Sequence, residues 1–330
     1  MSGPRHVYRV LGIGAVAMAV TMVCPFLGIR YMTIRAVLES QELRYIFCTI
    51  RIPRTLAAFV AGGGLALAGM VYQALFRNPL ASPYTLGVSG GASLGAALCI
   101  ALGAGGSMAG FSMVSMGSFA GAVGAVVLVY TFAWSRESNS ITLLLAGVVV
   151  ATVCSGLIMF IHYLSPLRHS FQIMRWIMGG VDGATYAFLA VMAVPVMLYA
   201  GVCAAFMPQL DQFLTGDSLA HSRGVAVRRS RNMFIVVTAL AVGAIVSACG
   251  PIGFVGIMAP HACRLMLGGA RHRVLGVCSF LLGGAFLVVS DTLARTLAPP
   301  SEIPVGILTA LFGGPFFLAI LFRRKGRLQF

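Results

Sequence analysis

The side chains that could carry out chemistry are few in this sequence. Only 9% of the residues are charged, and the long apolar stretches contain little that ionises beyond His162 and Asp291. No two of the eight cysteines form a C-x-x-C pair, and most lie in or beside apolar stretches, where cysteine usually packs as a small hydrophobe. Neither H-E-x-x-H nor G-x-S-x-G occurs. We therefore predict no catalytic residues, no disulfide framework and no metal site.

One group of side chains could ligate a metal or a haem iron. It comprises Met159, His162, His169, Met174 and Met178. The chain contains 17 methionines, so chance clustering and adaptable packing explain the group more simply. We predict packing rather than ligation, and contact between these residues and a ligand stays an open question.

The composition is that of a membrane protein. The mean hydropathy is +0.94, 59% of the residues are hydrophobic, and 40 glycines would let helices pack closely. A soluble domain could not keep so apolar a surface in solution. The net charge of +15 is better explained by arginines at membrane borders than by nucleic-acid binding, because no basic stripe lies on a soluble domain.

Apolar segments of about 20 residues divide the chain into ten predicted transmembrane helices in a single domain, residues 1–330. They cover residues 10–29, 55–75, 85–104, 111–134, 141–162, 184–206, 232–249, 251–268, 274–294 and 305–322. We therefore predict an all-α polytopic membrane protein. The weakest boundary is Cys249-Gly250-Pro251, which favours a turn but also permits one kinked helix.

The distribution of arginine and lysine orients these helices. With an inner N-terminus, 15 of the 23 basic residues lie on the inner side and eight on the outer side, so both termini are predicted to be cytoplasmic. Five of the outer eight fall between Arg30 and Arg54, where the rule disfavours them. Docking of an acidic partner or attraction of an anionic ligand would explain this excess. Simple anchoring at the membrane border is the alternative.

The longest polar interruption is Leu210–Arg231, within a cytoplasmic loop of about residues 208–231. Gly216 could end a short helix that begins near Pro208, and Asp217 could cap a second one that ends at Gly224. We therefore expect two short surface helices, which suit contact with a partner better than catalysis.

Two mechanisms of transport lose support from the sequence. An ion-coupled secondary carrier would need carboxylates near the middle of the membrane, and none is found there. No Walker A loop occurs, and Lys325 is the only lysine, so the chain does not hydrolyse nucleotide through that motif. The secondary carrier remains the alternative from another class of protein.

Three blocks of sequence carry a resemblance to a known family. They are RIPRTLAAFVAGGGLALAGMVYQALFRNPLASPYTLGVSGGASLGAAL from Arg51, GDSLAHSRGV from Gly216, and GPIGFVGIMAPHACRLMLGGARHRVLG from Gly250, which continues to Phe317. Together they resemble the permease subunits of type II ABC importers for iron-siderophore, haem and cobalamin. The similarity covers nearly the whole chain from Arg51 onward.

The resemblance implies partners and a location in the cell. Two permease subunits, here expected to be a homodimer, would sit in the inner membrane with two cytoplasmic ATPase subunits that hold ATP and magnesium. A periplasmic or lipid-anchored binding protein would deliver the cargo, and this chain would carry no cofactor. An iron chelate such as a ferric siderophore is the expected cargo, with haem and cobalamin as alternatives.

The resemblance also implies roles for particular residues, which are grouped here by role. The residues implied for docking of the binding protein are Arg51, Arg54 and Arg295. Those implied for coupling to the ATPase are Gly216, Asp217, Ala220, Arg223 and Gly224. Those implied for the cytoplasmic gate are Ser140, Ile141 and Thr142. Arginine suits docking because its planar guanidinium engages a carboxylate through two hydrogen bonds. The usual acidic pair of the coupling loop reads Asp217-Ser218 here.

Overall fold

The computed structural model describes residues 4–28, 31–104, 106–108, 111–134, 140–214, 216–268, 270–299 and 301–324. Over this part the chain is almost entirely helical. The helices are α1 (Pro4–Val23), α2 (Ile34–Glu39), α3 (Gln41–Tyr45), α4 (Ile52–Phe76), α5 (Val88–Ala101), α6 (Met113–Trp134), α7 (Ser140–Leu164), α8 (Leu167–Ile177), α9 (Tyr186–Phe213), α10 (Asp217–Ser222), α11 (Val227–Cys249), α12 (Val255–Leu267), α13 (His272–Ala294) and α14 (Val305–Arg324). Two antiparallel two-residue strands, β1 (Ser107–Met108) and β2 (Phe111–Ser112), precede α6.

The predicted membrane architecture is confirmed. Seven helices of the described residues are long and apolar enough to cross a membrane, and α5, α12 and α14 add three shorter apolar stretches. Each of these ten helices overlaps one of the ten predicted segments, although the bounds differ by several residues at some ends. The short helices α2, α3, α8 and α10 lie between them.

Helix α4 forms the centre of the subunit. Of its most apolar window, 83% is buried, and it packs against α9, α11, α12 and α13. Small residues make these close contacts possible, since a Cβ on Gly69 would overlap the carbonyl oxygen of Gly256 in α12. Gly62 approaches Gly283 of α13 in the same way. These glycines therefore serve close helix packing, as predicted.

The predicted turn between the seventh and eighth segments is confirmed, because α11 and α12 are separate helices. Gly250 has φ +67° and Phe254 has φ +66°, which is the left-handed region. Pro251 lies between them and lacks the N–H that a continuous helix would need. The chain therefore leaves the helical path between Cys249 and Val255.

The prediction of two short helices in the cytoplasmic loop is wrong in its first half. Helix α9 continues through Pro208 to Phe213, so only α10 is a separate short helix. Tertiary contacts hold the last turn of α9 in place: Leu210 and Phe213 are fully buried, and Arg77 Nε donates to the Phe213 carbonyl oxygen at 2.8 Å. These contacts offset the hydrogen bond that an interior proline removes. Gly216, with φ +111°, occupies the N-cap position that the sequence suggested for Asp217.

Candidate translocation cavity and docking sites

Two of the apolar helices are too short to cross a membrane alone. Helix α5 has 14 residues and α12 has 13, and at about 1.5 Å per residue each spans roughly 20 Å of a hydrocarbon core that is about 30 Å thick. The segments before these helices, residues 77–87 and 250–254, are not α-helical, and the first contains a 3-10 turn at Pro83–Leu86. Such backbone is tolerated at membrane depth only where it is buried in protein or lines a cavity. The meeting point of these segments is therefore a candidate functional region.

A tyrosine joins the two segments. The Tyr84 hydroxyl group accepts a hydrogen bond from the Ile252 N–H at 2.7 Å and also contacts the Ile252 carbonyl oxygen. The loop after α8 reaches the same place, because the Gly180 N–H donates to the Cys249 carbonyl oxygen at 2.7 Å. One phenol thus satisfies both backbone groups of a residue that no helix can satisfy.

A cavity of about 850 Å³, which we name the α7 cavity, opens beside this junction. Residues of α5, α7 and α8 form most of its wall. The lining residues are Tyr84, Ser89, Gly90, Ser93, Ala151, Ser155, Ile158, Met159, His162, Tyr163, Met174, Ile177, Met178 and Pro251. None of these lining residues is an aspartate, glutamate, lysine or arginine. Its volume lies in the range of cavities that hold small organic ligands.

The structure shows which residues of the predicted methionine and histidine group line the α7 cavity. Met159, His162, Met174 and Met178 all line the α7 cavity, whereas His169 is not among its lining residues. His162 is half-buried, and its carbonyl oxygen accepts a hydrogen bond from the Ser170 hydroxyl group at 3.0 Å. Among the described residues no group of three or more His, Cys, Asp or Glu side chains could hold a metal ion.

The arginines that were predicted to dock a partner lie at an ion cluster between α4 and α13. Arg54 donates two hydrogen bonds to the Asp291 carboxylate, from Nε at 3.1 Å and from Nη2 at 2.9 Å. Its Nη1 donates to Glu302 at 2.8 Å. Arg295 Nε lies 3.5 Å from the other oxygen of Asp291. Arg54, Asp291 and Arg295 are buried, while Glu302 is half-exposed. Two arginines therefore share one deeply buried carboxylate.

The end of α1 ties Arg51 to this ion cluster. Arg51 Nη1 donates to the Pro25 carbonyl oxygen at 3.0 Å, and Arg295 Nη2 donates to the neighbouring Cys24 carbonyl oxygen at 3.3 Å. Burial lowers the pKa of Arg295 from its usual value, and the negative charge of Asp291 opposes that shift. All three predicted docking arginines are thus brought together, and Arg51 is the most exposed of them.

The predicted coupling residues form one small unit. Ala220 is fully buried, and Arg223 and Gly224 are exposed at the end of α10. Gly224 has φ +84° and ends the helix as expected. Asp217 begins α10, and its side chain lies outside the described part of the chain. The buried alanine anchors the unit against the subunit and leaves its polar residues facing outward.

The predicted gate residues form the first turn of α7, which begins at Ser140. Thr142 is exposed. The side chains of Ser140 and Ile141 lie outside the described residues.

Sequence reasoning missed two partners within this site. Glu302 pairs with Arg54 across 248 positions, and Tyr84 joins Ile252 across 168. A signal for the ion cluster did exist, because Asp291 is one of only eight acidic residues and precedes Arg295 by one helical turn. No local signal marks Tyr84.

The described residues form ten apolar helices, with a broken-helix junction beside a cavity. The polar unit at α10 lies at the opposite end from the ion cluster. These features are those of a multi-pass membrane permease. The FecCD transport family matches residues 11–323, so the chain belongs to this family. The sequence-based recognition of an ABC importer permease of this class is thereby confirmed.

Similar proteins span most of the chain. The hemin transport system permease protein HmuU of Yersinia pestis is 34% identical over 91% of this chain and 90% of its own length. The cobalamin import system permease protein BtuC of Halobacterium salinarum is 39% identical over 87% of this chain and 76% of its own length. A solved structure of a metal-chelate type ABC transporter in an inward-facing conformation has a TM-score of 0.87 and 28% identity, covering 95% of this chain and 98% of that one.

Proposed function

We propose that this permease moves an iron chelate, such as a ferric siderophore, inward across the inner membrane, with the energy supplied by a separate ATPase. The observation that carries the proposal is the α7 cavity at the broken-helix junction, where no carboxylate lines the wall. An ion-coupled carrier would need such a carboxylate. Haem and cobalamin are the second candidates, because the relatives with 34% and 39% identity are permeases for these cargoes.

A second permease subunit would close the cavity. Only 17% of the most apolar stretch of α7 is buried, and Met159 and Tyr163 are 73% and 86% exposed. A homodimer would cover this face and place two α7 cavities around one pathway. The chain itself carries no cofactor in this proposal, and ATP and magnesium belong to two partner ATPase subunits.

Helix α10 would transmit the motion of the ATPase. Gly216, Asp217, Ala220, Arg223 and Gly224 form or flank this helix, which a buried alanine anchors to the subunit. A push on its exposed side would reach α9 and α11, which it contacts. Repacking of such helices is a known route between outward-open and inward-open states.

The ion cluster would receive a periplasmic or lipid-anchored binding protein. Arg51, Arg54 and Arg295 supply three positive charges, and Asp291 and Glu302 supply two negative charges, which leaves a net charge of +1. Because Arg51 is the most exposed of the three arginines, it is the group that an incoming acidic side chain reaches first. In this proposal both termini and α10 lie in the cytoplasm.

Charge reversal at Arg51 tests the docking role. Arg51→Glu should weaken docking of the binding protein by tenfold or more, about 1.4 kcal/mol, while assembly with the ATPase is retained. Arg168→Glu is the matched control, since Arg168 is an exposed outer arginine away from the ion cluster. Equal affinity of both variants in calorimetry would refute the docking role.

Transport in reconstituted vesicles separates the two classes of transporter. Uptake of the iron chelate should require the ATPase subunits and ATP. Uptake driven by a proton or sodium gradient without the ATPase would instead identify a secondary carrier.

A further inference from the structure

The Arg54 guanidinium binds two carboxylates that differ in their access to solvent. Its Nε and Nη2 donate to Asp291, whose side chain is 2% exposed, and its Nη1 donates to Glu302, whose side chain is 36% exposed. The Arg54 side chain is itself only 11% exposed. Asp291 is therefore an internal counter-ion of the cluster, whereas Glu302 is the carboxylate that solvent reaches.

The two ion pairs of Arg54 differ accordingly in how easily the acidic partner can be exchanged. A buried pair is costly to break, because the charge that remains is poorly solvated. A pair that is open to water contributes little net stability, because water and salt ions can take the place of either partner. A carboxylate that approaches from solvent can therefore replace Glu302 on Arg54, but it cannot reach Asp291.

Glu302 begins a short segment that connects the ion cluster to the broken-helix junction. Residues 302–304 have no regular secondary structure. The Ile303 N–H donates to the Ala294 carbonyl oxygen at 3.1 Å, and the Gly306 N–H donates to the Gly179 carbonyl oxygen at 3.3 Å. A Cβ on Gly306 would overlap the carbonyl oxygen of Met178, which lines the α7 cavity. Glu302 thus lies four residues from a close contact with the wall of that cavity.

A separate cavity of about 480 Å³ lies beside this segment. Arg54, Asp291, Glu302 and Ile303 are among its lining residues, and so is Gly250 of the broken-helix junction. This space lets the Glu302 side chain turn away from Arg54 without a rearrangement of packed helices. Exchange of the Arg54 partner is therefore sterically possible in the folded subunit.

We infer that Glu302 is an internal competitor of the binding protein: it occupies Arg54 in the undocked permease, and a carboxylate of the docking partner displaces it. The buried guanidinium keeps two carboxylate partners throughout, and the released segment 302–306 can then move at the wall of the α7 cavity. This inference rests on the proposed docking of an acidic partner at the ion cluster, and it names the residue that limits the affinity of docking.

An internal competitor suits a partner that must dock and leave in every transport cycle. Part of the docking free energy is used to displace Glu302, so the complex dissociates faster than one formed on uncovered arginines. Glu302 also makes docking selective, because a neutral surface cannot replace a carboxylate on Arg54.

The test measures docking of the purified binding protein of the same transport system to the complete transporter, permease with ATPase, in lipid nanodiscs. Glu302→Gln keeps the size of the side chain and an oxygen acceptor for Arg54, but it removes the negative charge. The partner's carboxylate then competes with a neutral amide. Docking should tighten about threefold to fivefold in biolayer interferometry, mainly through slower dissociation.

Asp182→Asn is the matched control for the loss of one negative charge. Asp182 lines the same 480 Å³ cavity, its side chain is 44% exposed, and it pairs with Arg175 at 3.0 Å rather than with an arginine of the ion cluster. Docking should change less than about twofold in this variant, because the pair that it breaks does not involve the docking arginines. The difference between the two variants reports competition for Arg54.

The direction of the effect separates competition from a structural role. If Glu302 merely holds the docking surface in shape, Glu302→Gln weakens docking. Weaker or unchanged docking in Glu302→Gln, or an equal gain in Asp182→Asn, would overturn the inference. Glu302→Ala provides a second variant, which should also tighten docking because it leaves no side-chain acceptor for Arg54.

The inference and the proposed function can fail separately. Weaker docking in Arg51→Glu without tighter docking in Glu302→Gln would retain the docking site and reject the competitor. Tighter docking in Glu302→Gln, in a transporter whose uptake of iron chelate needs no ATPase, would retain the competitor and reject the proposed function.

Discussion

The carboxylate of Asp291 should be one of the most sensitive positions in the chain. Its side chain is 2% exposed, and it accepts hydrogen bonds from Arg54 at 2.9 and 3.1 Å while Arg295 lies 3.5 Å away. Removing it leaves two buried guanidinium groups without their shared counter-charge. Loss of one partner from a buried ion pair costs about 3–5 kcal/mol, so Asp291→Ala should lower the free energy of unfolding by about that amount.

A second ion pair in the same protein provides the control. Arg175 and Asp182 are 3.0 Å apart, nearly the same distance as Arg54 and Asp291, but their side chains are 64% and 44% exposed. Water already solvates both groups, so Asp182→Ala should cost about 0–1 kcal/mol. The two variants therefore differ mainly in the burial of the pair that they break.

The measurement is reversible unfolding in mixed detergent micelles followed by circular dichroism. The double variant Arg54→Leu with Asp291→Ala should recover part of the loss, because it removes a buried positive charge together with its partner. Asp291→Asn separates charge from hydrogen bonding, since the amide oxygen can still accept from Arg54. If Asp291→Ala costs no more than Asp182→Ala, the ion cluster is not what holds α4 against α13, and the reasoning fails.

Two further predictions concern packing and the broken-helix junction. Gly69→Ala should destabilise the subunit by about 1–3 kcal/mol in the same unfolding assay, because the new methyl group overlaps the Gly256 carbonyl oxygen. Gly201→Ala, with no atom within 4 Å of the added Cβ, should not, and equal effects would refute the close contact. Tyr84→Phe leaves the Ile252 N–H without its hydroxyl partner and should cost about 1–3 kcal/mol. A matched Tyr163→Phe change at an 86% exposed side chain should be neutral, and a neutral Tyr84→Phe would show that the phenol does not join the segments.

Much of the fold was predictable because helix formation in a membrane depends on local composition. Runs of about 20 apolar residues set the ten helices, and the glycines and prolines between them set most of the breaks. Gly250-Pro251 marked the separation of α11 from α12 correctly. The prediction that Pro208 marks the start of a new helix was wrong. Buried Phe213 and the hydrogen bond from Arg77 hold α9 together past this proline.

The candidate sites were predictable only in part. Arg51, Arg54 and Arg295 were found from their motifs, and the structure brings them together. The burial of these arginines and their carboxylate partners were not predictable, because a sequence does not show whether an arginine beside an apolar run is buried. The same limit applies to Met159, His162 and His169, of which only the first two reach the α7 cavity.

Hydropathy and motifs are properties of neighbouring residues, so the sequence alone indicates that this protein crosses a membrane many times, where its ten apolar segments lie and which family it belongs to. Which charges meet and which cavity forms depend on the tertiary structure. Arg54 and Asp291 are 237 positions apart, and the lining of the α7 cavity extends from Tyr84 to Pro251 in the chain. Such contacts depend on how helices cross one another, and close approaches such as that of Gly69 to Gly256 fix those crossings.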